Sequence, residues 1–259
     1  MANVEAGEMP LIKPETVVAV GMVGLLLAAI VAGCSNPPEP PSAPMRAEDR
    51  SALYADFSTR SDGDAPERFS SGQQVNIAPK PTGAPRLTLV AGRLAVDPPS
   101  SGRDSGVVRS PDLGQPITRI GMEWNYTPGA GDGSGLAILG ITNLPLDQPE
   151  GAPIPVQFMV GQNSWSLSVS PGAIGGDLRL IPVADGAFSA PLPADGSAQR
   201  VEIDLDGPVA TVHLPDGTAR KVSDPRIAAW AGRVAFFGVY AETGVADSRA
   251  GLLRVWADT

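Results

Sequence analysis

One cysteine, one histidine and three lysines are all that this chain of 259 residues holds of the side chains most used in covalent, metal and nucleic-acid chemistry. A lone cysteine, Cys34, excludes an intramolecular disulfide even in a compartment that permits one, so the core must hold by packing alone. A lone histidine, His213, leaves no H-E-x-x-H helix, and without a cysteine set there is no zinc-ligand spacing. The 19 basic residues stand against 28 acidic ones for a formal charge of −9, which becomes −7 once residues 1–33, with Lys13, Glu5, Glu8 and Glu15, are set aside. That balance, with no cluster of Lys and Arg, excludes nucleic acid as the expected partner and argues against direct electrostatic adhesion to anionic lipid. Aromatic residues make up 5% of the chain, too few for a tryptophan-lined sugar cleft of the kind large glycosidases carry.

Charge is also missing from residues 17–33, seventeen uncharged and mostly apolar positions that follow Lys13 and end on Cys34. A polar start, an apolar middle and small residues at the close are the layout of a secretory signal. Seventeen residues also reach the lower edge of what spans a bilayer, so an uncleaved helix is the competing reading. The polar start is acidic where positive charge is expected on the cytoplasmic side. Beginning at Met9 instead of Met1 sheds two of the three glutamates, so Met9 is the expected start of translation. A precursor peptide covering residues 4–8 in a signal-peptidase-blocked strain contradicts that expectation.

The last four residues of the run, Val31-Ala32-Gly33-Cys34, resemble the lipobox of bacterial lipoproteins. The resemblance implies cleavage between Gly33 and Cys34, a diacylglycerol and fatty acid on the Cys34 thiol, and attachment to the extracytoplasmic side of the cell membrane. The Ser35-Asn36-Pro37-Pro38 that follows suits no buried core, which argues against Cys34 as an inert interior thiol.

From residue 34 to residue 85 the composition shifts to Pro, Ser, Ala, Asp and Gly, a segment too polar to offset its chain entropy and expected to be a disordered linker. Within it, residues 46–57 carry the outline of a short helix. Residues 86–259 are expected to form the folded domain, one core's worth of chain. RLTLVAGRLAV (86–96) reads as a hairpin turning at Gly92, and Ile120, Met122, Trp124 and Tyr126 alternate along the next strand. Further short strands follow at 136–142, 155–161, 164–170 and 178–183, each bounded by turn residues. In residues 199–222, two Asp-Gly steps separate runs of strict alternation, the signature of a three-stranded meander. Asp224 and Pro225 open a short helix over 224–230, and strands at 234–240 and 252–257 close the chain.

Many short strands at regular spacing predict an all-β, antiparallel β-sandwich. The RVEIDLDG and VATVHLPDG hairpin, the late GVYAE and the closing RAGLLRVWAD make it similar to the concanavalin A-like jelly roll of LamG-type modules and legume lectins. That fold hosts lectins, glycosidases, lyases and protein-binding modules, so the resemblance leaves function open.

Several residue sets are candidates for chemistry. Glu202, Asp204 and Asp206 form a strand similar to the E-x-D-x-E motif of laminarinase-type glycosidases, in which the outer carboxylates act as nucleophile and acid. Here the third member is a shorter Asp in a tight turn, and a solvated strand face explains the same pattern. Asp132, in the glycine-rich stretch 129–135, is a candidate calcium ligand, though the stretch has neither an EF-hand nor a P-loop pattern. Trp124 and Trp165 are candidate sugar-stacking residues, but both share the phase of apolar neighbours and read first as core. His213 reads as a surface residue, since Val212 and Leu214 point the other way. The reading that follows is a lipid-anchored envelope protein whose β-sandwich binds a glycan or a protein partner without catalysis. A glycan-cleaving enzyme using Glu202 and Asp206, and a surface structural or exclusion protein, are the alternatives.

Overall fold

Period-two alternation is the rule that builds this protein, seen in a computed structural model that describes residues 46–77, 86–97, 103–127, 135–142, 156–169, 173–174, 177–178, 180–228, 232–242 and 250–259. The apolar run 17–33, Gly33, Cys34, Met9, Asp132 and Trp230 lie outside the described residues. Among the described residues, no helix is long and apolar enough to cross a membrane.

The described strands form two antiparallel sheets. Sheet one runs, in spatial order, β16 (Ala219–Ser223), β15 (Val209–His213), β14 (Gln199–Asp206), β7 (Arg119–Tyr126), β18 (Ala250–Asp258), β5 (Arg93–Val96), β4 (Leu87–Val90) and β2 (Gly63–Asp64). β1 (Leu53–Asp56) shares with β5 one edge of β18, pairing Leu53 with Ala257 and Asp56 with Arg254. Sheet two runs β13 (Ile181–Ala187), β10 (Ser164–Val169), β9 (Val156–Val160), β8 (Leu136–Thr142), β17 (Val234–Glu242), β6 (Arg103–Arg109) and β3 (Asn76–Ile77). β11 (Ala173–Ile174) and β12 (Asp177–Leu178) make a separate ribbon.

The central strands bury one face, as alternation requires, while the edge strands β2 and β16 stay largely exposed. On β14, Val201 and Ile203 point inward and Arg200, Glu202, Asp204 and Asp206 outward; β7 contributes Ile120, Met122, Trp124 and Tyr126 to the interior. Sheet two answers with Leu139, Phe158, Leu167 and Phe237, and the two inner faces meet in a single apolar cluster. The expected all-β, antiparallel sandwich is what the chain forms. The meander is also as expected: in β14–β15 the register pairs Asp206 with Val209, leaving Gly207 at φ +55° and Pro208 as a two-residue loop with glycine first. Ala91 and Gly92, at φ +50° and +69°, turn β4 into β5.

Three expectations need correction. The linker expected over 34–85 does not extend through that whole span, because residues 46–77 belong to the body of the fold. Leu53, Ala55 and Phe57 have no exposed surface, Phe69 and Val75 are buried, and β1 completes the edge of β18. The folded domain therefore starts well before Arg86. The helix outlined over 46–57 is a single 3-10 turn, Ala47–Arg50, followed by strand. The strand expected at 178–183 is instead the end of β12 and the start of β13, which continues to Ala187. The sequence pattern also misses β6, whose Gly106 interrupts the alternation. A Cβ there would lie 2.4 Å from the side chains of Leu87 and Val96 on the facing sheet, so glycine makes room for them. The helix expected over 224–230 is described as α1 (Pro225–Ala228), with the Asp224 carboxylate accepting the Arg226 N–H at 2.9 Å.

Candidate functional site

Near one edge of sheet two, β9, β10 and β13 form an open cleft of about 370 Å³, at the small end of the range for ligand sites. Cross-strand register sets its floor: Met159, Ser166 and Asp185 lie side by side in one outward row, and Ser164 and Ala187 form the next. Asp185 reaches this face because of a β-bulge. From inward-facing Ile181, strict alternation would turn residue 185 into the core. The register shifts between Leu167 and Ser168, so Val183 is an extra residue and Asp185 turns outward.

Trp165, between Ser164 and Ser166 on β10, points to the other side of the sheet and joins the core, as its shared phase with Leu167 and Val169 implies. One face of its indole stacks on Phe158, ring centroids 5.9 Å apart and planes at 23°, leaving the side chain only 7% exposed. Gly186, its cross-strand partner, makes room for the ring, since a Cβ there would sit 2.9 Å from Nε1. The cleft thus combines an apolar floor from Met159 and Leu136, two serine hydroxyls that both donate and accept, and one carboxylate. This arrangement can hold a polyhydroxylated ring by hydrogen bonds over an apolar base. The glycine-rich stretch 129–135 leads directly into Leu136 in sequence, and its Asp132 lies outside the described residues.

The second candidate cluster sits on the outer face of sheet one. Glu202 accepts the Arg200 guanidinium and the Trp256 indole N–H, both at 3.0 Å. Asp204 meets His213 Nε2 at 2.9 Å, a contact across the β14–β15 hairpin, with both side chains about half exposed. His213 is therefore a surface residue with a carboxylate partner, which linear reading did not reveal. Asp206 is exposed at the end of β14. The three carboxylates share one face, and the partners of Glu202 and Asp204 differ. Trp124 is fully buried in the core, its indole N–H without a hydrogen-bond partner among the described residues. Burial pushes the nearby Tyr126 hydroxyl up to about 12, partly offset by Trp124.

Beside Glu202 the same face carries an ionic network centred on Glu123, which binds Arg254 at 2.5 Å, Arg46 at 3.3 Å and Arg200 at 3.4 Å. Arg254 also holds Asp56 at 2.9 Å. Burial opposes the Arg254 charge, but hydrogen bonds to Asp56 and Glu123 keep its pKa above the ordinary value. Among the described residues, no group of three or more His, Cys, Asp or Glu is placed to hold a metal ion.

No protein-family model matches the chain, and no curated protein matches it. Among solved structures it is similar to the carbohydrate-binding module CBM66 from Bacillus subtilis, at 12% identity over 64% of this chain and 86% of that one, with a TM-score of 0.41. It is also similar to the Emp46p carbohydrate recognition domain, at 12% identity over 71% and 87%, TM-score 0.49. A third is the VIP36 exoplasmic/lumenal domain in its Ca2+/Man-bound form, at 14% identity over 75% and 87%, TM-score 0.45. These are partial likenesses of chain path, and the antiparallel sandwich assigned here rests on this chain's own strand pairing.

Proposed function

We propose that this protein is a membrane-anchored envelope lipoprotein whose β-sandwich binds a glycan in the Ser166–Asp185 cleft, without catalysis. The cleft carries the reading: hydroxyls of Ser164 and Ser166 and the Asp185 carboxylate surround an apolar floor of Met159 and Leu136 in a space sized for one or two sugar rings. The Asp185 carboxylate accepts paired sugar hydroxyls, and the serines serve as donor or acceptor as the sugar requires. The sequence supports the anchor through the apolar run and the Val31-Ala32-Gly33-Cys34 ending. A soluble chain from Ser35 onward, applied to a glycan array, tests the binding reading. Retention on a defined glycan that is lost in Asp185→Ala supports it, and a blank array contradicts it. Cys34→Ala with metabolic labelling by a fatty-acid analogue tests the anchor separately. Loss of label and release from vesicles are expected, and unchanged vesicle association contradicts the lipid.

A further inference from the structure

Asp185 differs from the carboxylates on the opposite sheet in having no cation of its own. Glu123, Glu202, Asp56 and Asp258 each meet an arginine at 3.0 Å or less. Asp185 is exposed, and among the described residues its side chain has no hydrogen-bond or ion-pair partner. The same holds for the side chains of Ser164, also exposed, and Ser166, half-buried. Among the described residues that line the cleft, this is the one charged side chain, with no lysine, arginine or histidine beside it.

The register fixes what these groups can reach together. Ser166 pairs with Asp185 on one side and with Met159 on the other. Cross-strand neighbours on one face have Cβ atoms about 4.5–5.5 Å apart, so the carboxylate and the hydroxyl meet adjacent substituents of one ring while Met159 lies under its C–H face. An ionised carboxylate accepts and does not donate, so the ligand group on Asp185 must be a donor. A sugar hydroxyl and an ammonium both donate, but the ammonium adds an opposite charge, and no basic side chain lining the cleft competes for Asp185. A sugar acid would meet like charge there, in a chain whose formal charge is already −9.

We infer that the cleft selects an amino sugar with a free amine, the 2-amino-2-deoxyhexose unit of a de-N-acetylated glycan, with its ammonium on Asp185 and the adjacent hydroxyl on Ser166. The inference rests on the glycan reading of the cleft and adds the charge class of the ligand. N-acetylation removes the cation and so removes the preference. At an exposed carboxylate the added charge strengthens binding about fivefold at low salt, and screening takes most of that away at high salt.

The test is calorimetric titration of the full chain with three β-1,4-linked oligomers of equal length, built from glucosamine, N-acetylglucosamine or glucose, in about 0.01 M and about 1 M salt. The glucosamine oligomer should bind about fivefold more tightly than the other two at low salt and lose most of that advantage at high salt. Asp185→Asn, which keeps the shape and a hydrogen-bonding oxygen, should abolish the advantage. Glu67→Gln makes the same change of charge at an exposed residue leading toward β3, at the opposite edge of sheet two from β13, and should preserve it. Equal binding of the three oligomers, tighter binding of either neutral one, no binding of the glucosamine oligomer, or an advantage lost equally in Glu67→Gln overturns the inference. If equal binding is weakened by Ser166→Ala, the cleft still holds a glycan and only its preference for the amine falls. Binding indifferent to both Ser166→Ala and Asp185→Asn overturns the cleft reading as well.

Discussion

Replacing Glu123 with Gln tests whether the ionic network on the outer face of sheet one holds the fold together. Gln keeps the shape and removes the one charge that faces Arg46, Arg200 and Arg254. The Glu123 side chain is 9% exposed and that of Arg254 20%, so water compensates only in part. Breaking a fully buried pair costs about 3–5 kcal/mol. Here Arg254 keeps Asp56, and Arg200 keeps Glu48 and Glu202, which lowers the expected cost to about 1.5–3 kcal/mol. With a urea m-value of about 3 kcal/mol/M, the unfolding midpoint should fall by roughly 0.5–1 M with unchanged slope. Circular dichroism against urea reads this directly. A midpoint shift below about 0.2 M refutes the reasoning, because it places these ion pairs with ordinary surface pairs that contribute almost nothing.

A chain beginning at Arg86 should fail to unfold cooperatively, whereas one beginning at Ser35 should fold. The cut removes Leu53, Phe57, Phe69 and Val75 from the core, on the order of 6–12 kcal/mol of burial and comparable to the whole stability of a domain. Cooperative thermal unfolding of the shorter chain contradicts this. Acid should loosen the same region. Burial alone would raise the carboxyls of Glu48 and Asp56, but hydrogen bonds, including those from Arg200 and Arg254 respectively, together with the charges of those arginines, hold both below their ordinary values. Their contribution is complete above the ordinary carboxylate values of 4.5 and 3.8 and is lost as pH falls through the lower folded values. Tyr126 acts at the other end: its folded value of about 12, against an ordinary 10, lowers stability by up to about 3 kcal/mol as pH rises from 10 to 12. Urea titrations at pH 9 and 12 in Tyr126→Phe should show a smaller alkaline loss than in the parent; equal losses contradict it.

What the sequence made legible follows from how local each signal is. The β14–β15–β16 meander needs only alternation and two turns within a short window, so Val201, Ile203, Ala210 and Val212 declare their face unaided. β1 is invisible by the same logic: its four residues sit in a Pro- and Ser-rich stretch, and their partner strand lies far along the chain, with Asp56 meeting Arg254 across 198 positions. Asp185 was missed because the extra residue at the bulge inverts the phase that alternation assigns. The His213 contact with Asp204 was available in principle, since pairing His213 with Glu202 places Asp204 diagonally adjacent. Trp256 carried a signal too, as it keeps step with Arg254 and Asp258 rather than with apolar neighbours. Its burial on an outer face required a covering segment that only the folded chain supplies.

The most direct measurement of the central claim is a calorimetric titration of the Ser35-onward chain with whichever glycan the array selects, comparing the parent with Asp185→Ala and Ser166→Ala. Both variants should unfold near the parent's midpoint and lose binding by tenfold or more, the first by removing the carboxylate and the second by removing the hydroxyl beside it. Binding that survives both changes at the parent's affinity places the ligand elsewhere and contradicts the account.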